Sequence, residues 1–182
     1  QDGGRVGPPC RGGKHSALIL RTRPPVFKAT AIHAMVARPY VSPIILRPIR
    51  EQFEHDRVIR QLQARLRRRF SVAINPGQDE TVSVRAESLP VFPDLVLTST
   101  DNGRRHHGIV EVETTESVNH LEAVAEWTRL AKVRGAFYLY VPAGAADVAR
   151  RLCEDNGIAF AEIWTYYAIG PQVRFSMVHR SA

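Results

Sequence analysis

Two short apolar runs, separated by a polar turn and flanked by acidic residues, constrain this chain more than any other feature. The runs are Leu95–Leu97 and Ile109–Val112, and both predict short buried strands. Asp94 stands directly before the first run. Glu111 and Glu113 lie two residues apart at the end of the second, so their side chains leave the same face of the strand.

Carboxylates clustered in this way need something to offset their repulsion. The side chains of Glu111 and Glu113 would stand about 6.5 Å apart along the strand. At an effective dielectric constant near 20, their repulsion amounts to roughly 2–2.5 kcal/mol. A cation, a raised pKa or exposure to solvent would relieve it. A divalent cation such as Mg²⁺ fits best, because it takes oxygen ligands.

The pair Pro93-Asp94, followed by Glu111-Val112-Glu113 at the end of an apolar strand, resembles the PD-(D/E)XK (restriction-endonuclease-like) nuclease superfamily. In that family the Asp and the first acid of the second motif hold Mg²⁺, and a lysine two residues further on activates water. The resemblance covers most of the chain from about residue 51 onward. It implies a Mg²⁺-dependent DNA endonuclease, with Mn²⁺ as a substitute metal, in which Asp94, Glu111 and Glu113 are the catalytic and metal-binding residues.

The chain departs from this family at the lysine position, which holds Glu113. Some restriction enzymes that the pattern resembles also carry Glu there and cut DNA. Glu113 is thus expected as a further metal ligand or as a general base in the lysine's place. It would equally mark a nuclease-like fold that has lost turnover and acts as a DNA- or protein-binding module. The structural alternative for the other two acids is that Asp94 caps a turn and Glu111 pairs with an arginine.

An amphipathic helix is predicted ahead of these strands, from about residue 51 to residue 70. Its apolar positions recur every three or four residues: Ile59, Leu62, Leu66 and Phe70. In the family that the chain resembles, a glutamate on this helix sometimes joins the metal site, which makes Glu54 a candidate ligand. As an acid near the helix start, Glu54 would also complement the helix dipole.

Arginines crowd the outer face of the same helix towards its end. Arg65, Arg68 and Arg69 are candidate contacts to a DNA backbone. A solvated helix face explains them equally well, because cations are favourable at the C-terminal end of a helix dipole.

The remaining segments predict strands and helices in alternation. Their predicted spans are a hairpin over 71–85 around Asn75-Pro76-Gly77, a turn containing His106 and His107, a helix over 119–133 with Leu121 and Val124 on its buried stripe, a strand over 136–141, a helix over 142–155 and a strand over 158–167. This order predicts an α/β domain over residues 44–182, specifically a three-layer α/β/α sandwich with a central mixed β-sheet of restriction-endonuclease-like type.

The basic residues are concentrated at one end of the chain. The net charge is +7, but residues 1–50 hold nine Arg and Lys against one acid, which leaves 16 basic and 17 acidic residues elsewhere. The overall charge is therefore poor evidence that the folded part binds DNA. Residues 1–43 are rich in Gly, Pro and Arg and are predicted to be a disordered extension. That extension is either a phosphate-binding arm or a non-native addition.

Membrane insertion is not expected, because no uncharged apolar run approaches 18 residues. Two cysteines, Cys10 and Cys153, are too few for a disulfide framework and favour a reducing, cytoplasmic location. Many nucleases of the resembled family act as dimers, so DNA and a second copy of the chain are the expected partners.

Overall fold

In the computed structural model, which describes residues 48–77, 79–101 and 105–181, the chain forms a mixed α/β domain. The elements in chain order are α1 (Ile49–Leu66), β1 (Phe70–Ile74), β2 (Val84–Ala86), β3 (Leu89–Val91), β4 (Leu95–Ser99), β5 (His106–Val112), α2 (His120–Glu122), a π-helical segment (Ala123–Trp127), α3 (Thr128–Leu130), β6 (Ala136–Pro142), α4 (Ala146–Asp155), β7 (Glu162–Ile169) and β8 (Gln172–Arg180). The extension predicted over residues 1–43 lies outside the described residues. No helix in the described part of the chain is both long enough and apolar enough to cross a membrane.

Six strands form one sheet in the order β1-β4-β5-β6-β7-β8. β4 pairs antiparallel with both β1 and β5, whereas β5, β6 and β7 run parallel to one another. β8 adds an antiparallel edge beside β7. The sheet is therefore mixed, as predicted, and the start of β4 meets the end of β5 at one end of the sheet.

Helices cover both faces of this sheet because the side chains of its strands alternate. On one face, α1 packs its apolar stripe, including Ile59 and Leu62, against Val110 and Val112 of β5. On the other face, helix 120–130 and α4 pack against residues such as Ile109. Helix 120–130 comprises α2, the π-helical segment and α3. β5 thus contributes to both cores, and Glu111 lies at the end of this strand, at the edge of both cores.

The hairpin predicted over residues 71–85 is wrong. β1 pairs with β4, while β2 pairs with β3 in a separate two-stranded sheet. The segment after β1 is held by hydrogen bonds of the Asn75 side chain, not by the strand pairing of a hairpin. The Asn75 amide donates to the carbonyls of Val82 and Pro93, and its oxygen accepts from the backbone N–H groups of Thr81 and Val82.

Other predictions also needed correction. His106 and His107 open β5 instead of lying in a turn, and β8 was not predicted at all. The predicted buried stripe of helix 120–130 has the wrong phase: Leu121 is 72% exposed and Val124 is 47% exposed, whereas Trp127 is fully buried. The buried positions Ala123, Trp127 and Leu130 recur at spacings of four and three residues, so they follow the helical period, but the prediction chose the competing stripe that contains Leu121 and Val124.

Candidate functional site: an acidic cavity at the end of the sheet

A cavity of about 370 Å³ opens where β4 begins and β5 ends. Part of its wall comes from the start of α1, from the loop that follows β1, and from β3 with the segment that joins β3 to β4. The rest comes from β5 and from helix 120–130 with the residues that precede this helix. Eight acidic residues line it: Glu51, Asp79, Glu80, Asp94, Glu111, Glu116, Glu122 and Glu126. Among the described lining residues Arg129 is the one basic side chain. We call this space the acidic cavity.

Asp94 is held in place by contacts from β5 and from α1. Its side chain is largely buried, and its Oδ2 accepts a hydrogen bond from the backbone N–H of Val112 at 2.8 Å. The Nε2 of His55 lies 3.2 Å from the same oxygen and 2.9 Å from the carbonyl oxygen of Val112. A carbonyl oxygen can only accept, so Nε2 carries the hydrogen. The Oδ1 of Asp94 receives no hydrogen bond from any described residue.

Glu111 stands beside Asp94 and is similarly enclosed. Only 4% of Glu111 is exposed, and its Oε2 accepts from the backbone N–H of Asp94 at 3.3 Å. Burial raises the pKa of Glu111 well above its usual range, and the negative charges of Asp94, Glu126 and Glu113 raise it further. A cation in the cavity would reverse this effect, because it favours the ionised carboxylate. Asp94 and Glu111 are thus brought together as the sequence predicted.

Glu113 is fully buried and is not among the residues that line the cavity. Its Oε1 accepts a hydrogen bond from Nε1 of Trp127 at 2.5 Å, and its Oε2 accepts from the hydroxyl of Ser117. Its carbonyl oxygen accepts from the hydroxyl of Tyr166 at 2.6 Å. The side chain therefore ties β5 to helix 120–130. Its predicted role as ligand or base stays a prediction, and Glu113 would first have to leave both donors.

Glu54 lies away from the acidic cavity. Its side chain is 57% exposed and forms an ion pair with Arg50 at 3.9 Å. The glutamate of α1 that does line the cavity is Glu51, three residues earlier. The structure therefore does not bring Glu54 together with Asp94 and Glu111.

The three predicted DNA-binding arginines lie at the far end of α1. Arg65 is 14 residues beyond Glu51, a residue of α1 that lines the cavity. At 1.5 Å per residue, Arg65 and Glu51 are roughly 20 Å apart along the helix. Arg65, Arg68 and Arg69 line a second space, near Tyr140 and Trp164. The acidic cavity and these arginines are therefore separate surfaces of the domain.

Sequence reasoning missed several residues of the site. His55 occupies the apolar face of α1, three residues before Val58 and four before Ile59, and this spacing was the available signal. Glu122 and Glu126 line the cavity from helix 120–130, and their spacing of four residues, which places two side chains on one side of a helix, was the available signal.

The donors of the acidic cavity suit a hard cation in kind and number. Among the described residues, no group of three or more His, Cys, Asp or Glu side chains is arranged to hold a metal ion by itself. Asp94 and Glu111 offer two neighbouring carboxylates, each with one oxygen that receives no hydrogen bond from a described residue. Mg²⁺ commonly binds through one or two carboxylates, with water and substrate phosphates completing its shell. The pair therefore fits Mg²⁺ better than a metal that needs a full protein cage.

Comparison with family models, curated proteins and solved structures finds no match to this chain. The geometry of the acidic cavity and the resemblance of its motif are therefore the grounds for a functional proposal.

Proposed function

We propose that the domain is a Mg²⁺-dependent phosphodiesterase of the PD-(D/E)XK type that hydrolyses DNA. The observation that carries this proposal is the pairing of Asp94 and Glu111, two enclosed carboxylates side by side in a cavity lined by six further acids. Charge of that sign accumulates at a cost unless a cation offsets it. The raised pKa of Glu111, caused first by burial and then by Asp94, expresses the same cost.

We extend the proposal to the fold and suggest a restriction-endonuclease-like α/β/α arrangement. A long helix precedes the sheet, the two acids lie on the neighbouring strands β4 and β5, and helices pack on both faces. This element order is the one that the resemblance implies.

The chain's own residues would divide the work at the acidic cavity. Asp94 and Glu111 would hold Mg²⁺, and bound Mg²⁺ would supply an activated water and neutralise charge on the scissile phosphate. His55 would keep the Asp94 carboxylate in one orientation, because its Nε2 binds both Oδ2 and the backbone of Val112. Arg129 is the described lining residue that can attract the phosphate directly. Without a cation, the acidic side chains of the lining would repel a DNA backbone.

The proposal is tested first by cation binding, since a substrate need not be known. We expect calorimetry to show saturable binding of Mg²⁺ and Mn²⁺ to the full chain. Asp94→Asn and Glu111→Gln, which keep the side-chain shape, should each weaken it at least tenfold. Glu54→Gln is the matched control, because it removes the same charge from outside the cavity and should change nothing. Absence of binding in the wild type, or an equal loss in Glu54→Gln, would refute the metal site.

Cleavage then decides whether the site turns over. Wild-type protein with Mn²⁺ should nick supercoiled plasmid or cut single-stranded circular DNA, and Asp94→Asn should not. Because many nucleases of this type are dimers, the mass of the active species should be measured by light scattering in the same buffer.

A second candidate function is supported by Glu113. It occupies the position of the family's water-activating lysine, and both of its oxygens are engaged by Trp127 and Ser117. A catalytically inactive nuclease-like domain that binds DNA or a protein would need no water-activating residue at this position, so a glutamate with a structural role would suffice. Cation binding without cleavage of any DNA form would favour this candidate, whereas cation-dependent cleavage would exclude it.

A further inference from the structure

A second recess lies at the opposite end of α1 from the acidic cavity. It has a volume of about 640 Å³ and lies between the end of the helix and the sheet. Its lining residues are Ala64, Arg65, Leu66, Arg68, Arg69, Tyr140 and Trp164. This arginine groove, as we call it, contains no acidic residue in its lining, which is the reverse of the acidic cavity.

Aromatic rings support the arginines of this groove. The guanidinium carbon of Arg65 lies 5.7 Å from the ring centroids of both Trp164 and Phe175. The guanidinium carbon of Arg69 lies 5.7 Å from the ring centroid of Phe70. Arginine stacked on an aromatic ring loses little further freedom when its N–H groups bind a phosphate. Two of the three arginines are thus positioned before any ligand arrives.

The arginines of this region form no ion pairs with the described residues. Arg65, Arg67, Arg68 and Arg69 are exposed, and no described carboxylate lies within ion-pair distance of them. Five arginines elsewhere in the described domain do have such partners: Arg50 with Glu54, Arg60 with Asp56, Arg105 with Asp101, Arg150 with Glu154 and Arg180 with Glu162. Four like charges within five residues repel one another, and a polyanion would relieve that repulsion.

We infer that the arginine groove binds single-stranded DNA, with phosphates on Arg65, Arg68 and Arg69 and a base against Trp164. The aromatic rings of the groove favour a single strand over a duplex as its ligand. Trp164 is partly exposed and stacks on Tyr140 with centroids 5.6 Å apart and planes at 10°. A duplex keeps its base faces covered, whereas a single strand offers them to aromatic rings. The choice of DNA as the polyanion rests on the proposed function, but binding at the groove does not use the acidic cavity.

The test measures anisotropy of a labelled 20-nucleotide deoxythymidine strand with the full chain in EDTA. We expect the double variant Arg65→Gln/Arg68→Gln to weaken binding at least tenfold. The slope of log affinity against log salt should fall by about 1.4, since each phosphate contact to a single strand contributes roughly 0.7. The control is Arg150→Gln/Arg151→Gln on α4, which removes the same charge elsewhere and leaves the basic residues 1–47 unchanged. It should lose less than threefold.

Contact with a base is tested through tryptophan fluorescence. Trp164 and Trp127 are the two tryptophans of the chain, and Trp127 is fully buried. The bound strand should quench emission in the wild type but not in Trp164→Phe, and Trp164→Ala, which removes the stacking ring, should lower the affinity by about fivefold or more. Four results would each overturn the inference: no binding by the wild type, equal losses in both double variants, tighter binding of a duplex, an RNA strand or anionic vesicles, or unchanged quenching in Trp164→Phe. The cation titration of the acidic cavity is a separate measurement, so either proposal can fail alone.

Discussion

The acidic cavity and the arginine groove lie towards opposite ends of the same helix and differ in how their charges are treated. At the cavity, Asp94 and Glu111 are enclosed and held by backbone and side-chain hydrogen bonds. At the groove, the arginines are exposed and rest on aromatic rings. A domain whose acidic and basic residues nearly balance therefore carries two strongly charged surfaces of opposite sign. Net charge conceals this division, which only the positions of the residues reveal.

The two ends should also differ in how much of the fold depends on them. The largest effect we expect is at the cavity end, in Trp127→Ala. This change empties a fully buried site and removes the donor to Oε1 of Glu113. It should reduce the free energy of unfolding by about 3–5 kcal/mol, measured by urea denaturation. Leu121→Ala on the same helix, where the side chain is 72% exposed, is the control and should cost under about 0.5 kcal/mol. Similar losses in both variants would contradict the burial described for Trp127 and its hydrogen bond to Glu113.

The next effect separates the two surfaces functionally. His55→Leu removes the donor to Asp94 without removing a cation ligand. We expect the affinity for Mn²⁺ to fall about 10- to 100-fold, as for other residues that orient a metal ligand, while single-stranded DNA still binds in EDTA. His55→Gln, which can return a donor near the same place, should restore part of the affinity. Leu62→Ala, which weakens the packing of the same helix, controls for lost stability. An equal loss of Mn²⁺ affinity in Leu62→Ala would show that His55 acts only through the fold.

The enclosed acid itself should give a smaller, pH-dependent signal. Burial and neighbouring charges raise the pKa of Glu111 in the folded state above its value of about 4.5 in an unfolded chain. Below pH 4.5 Glu111 is protonated in both states, so wild type and Glu111→Gln should be equally stable. As the pH rises towards the folded-state pKa, the unfolded chain ionises first and the wild type loses stability, by about 1.4 kcal/mol for each unit between the two pKa values.

Urea denaturation in EDTA at pH 4 and pH 8 measures this difference. Glu111→Gln should be the more stable protein at pH 8 and the equal of the wild type at pH 4. Saturating Mg²⁺ should reverse the order at pH 8, because the cation stabilises only a folded protein that binds it. A variant less stable than the wild type at pH 8 in EDTA would contradict the cost assigned to the enclosed charge.

These two surfaces were not equally predictable from the sequence. Asp94 and Glu111 were found together because strand pairing follows from two short apolar runs, and β4 and β5 do pair as neighbours. The arginines were found, but their rings were not, because Trp164 and Phe175 reach Arg65 only through the order of β6, β7 and β8 in the sheet. Long-range pairing of this kind leaves no local periodicity to read.

Around the acidic cavity, hydrogen bonds of single side chains also limited the prediction. Nε1 of Trp127 donates to the Glu113 carboxylate and ties it to helix 120–130, a contact that the sequence pattern did not predict, and the role of Glu113 as a ligand stays a prediction. The Asn75 side chain replaced a predicted strand ladder with its own hydrogen bonds. Both depend on the contacts of single side chains, which periodicity does not record.

The smallest effect distinguishes two reasons for the arginines. If they serve the fold by complementing the dipole of α1, Arg68→Gln should destabilise the domain by about 0.3–1 kcal/mol. We expect the opposite, a gain of a few tenths of a kcal/mol at low salt, because repulsion from Arg65, Arg67 and Arg69 is relieved. Thermal unfolding in 20 mM and 1 M NaCl measures it, and the gain should vanish at high salt, where such repulsion is screened. A surface that is slightly unfavourable to the fold and strengthens binding of a polyanion is what a binding role requires.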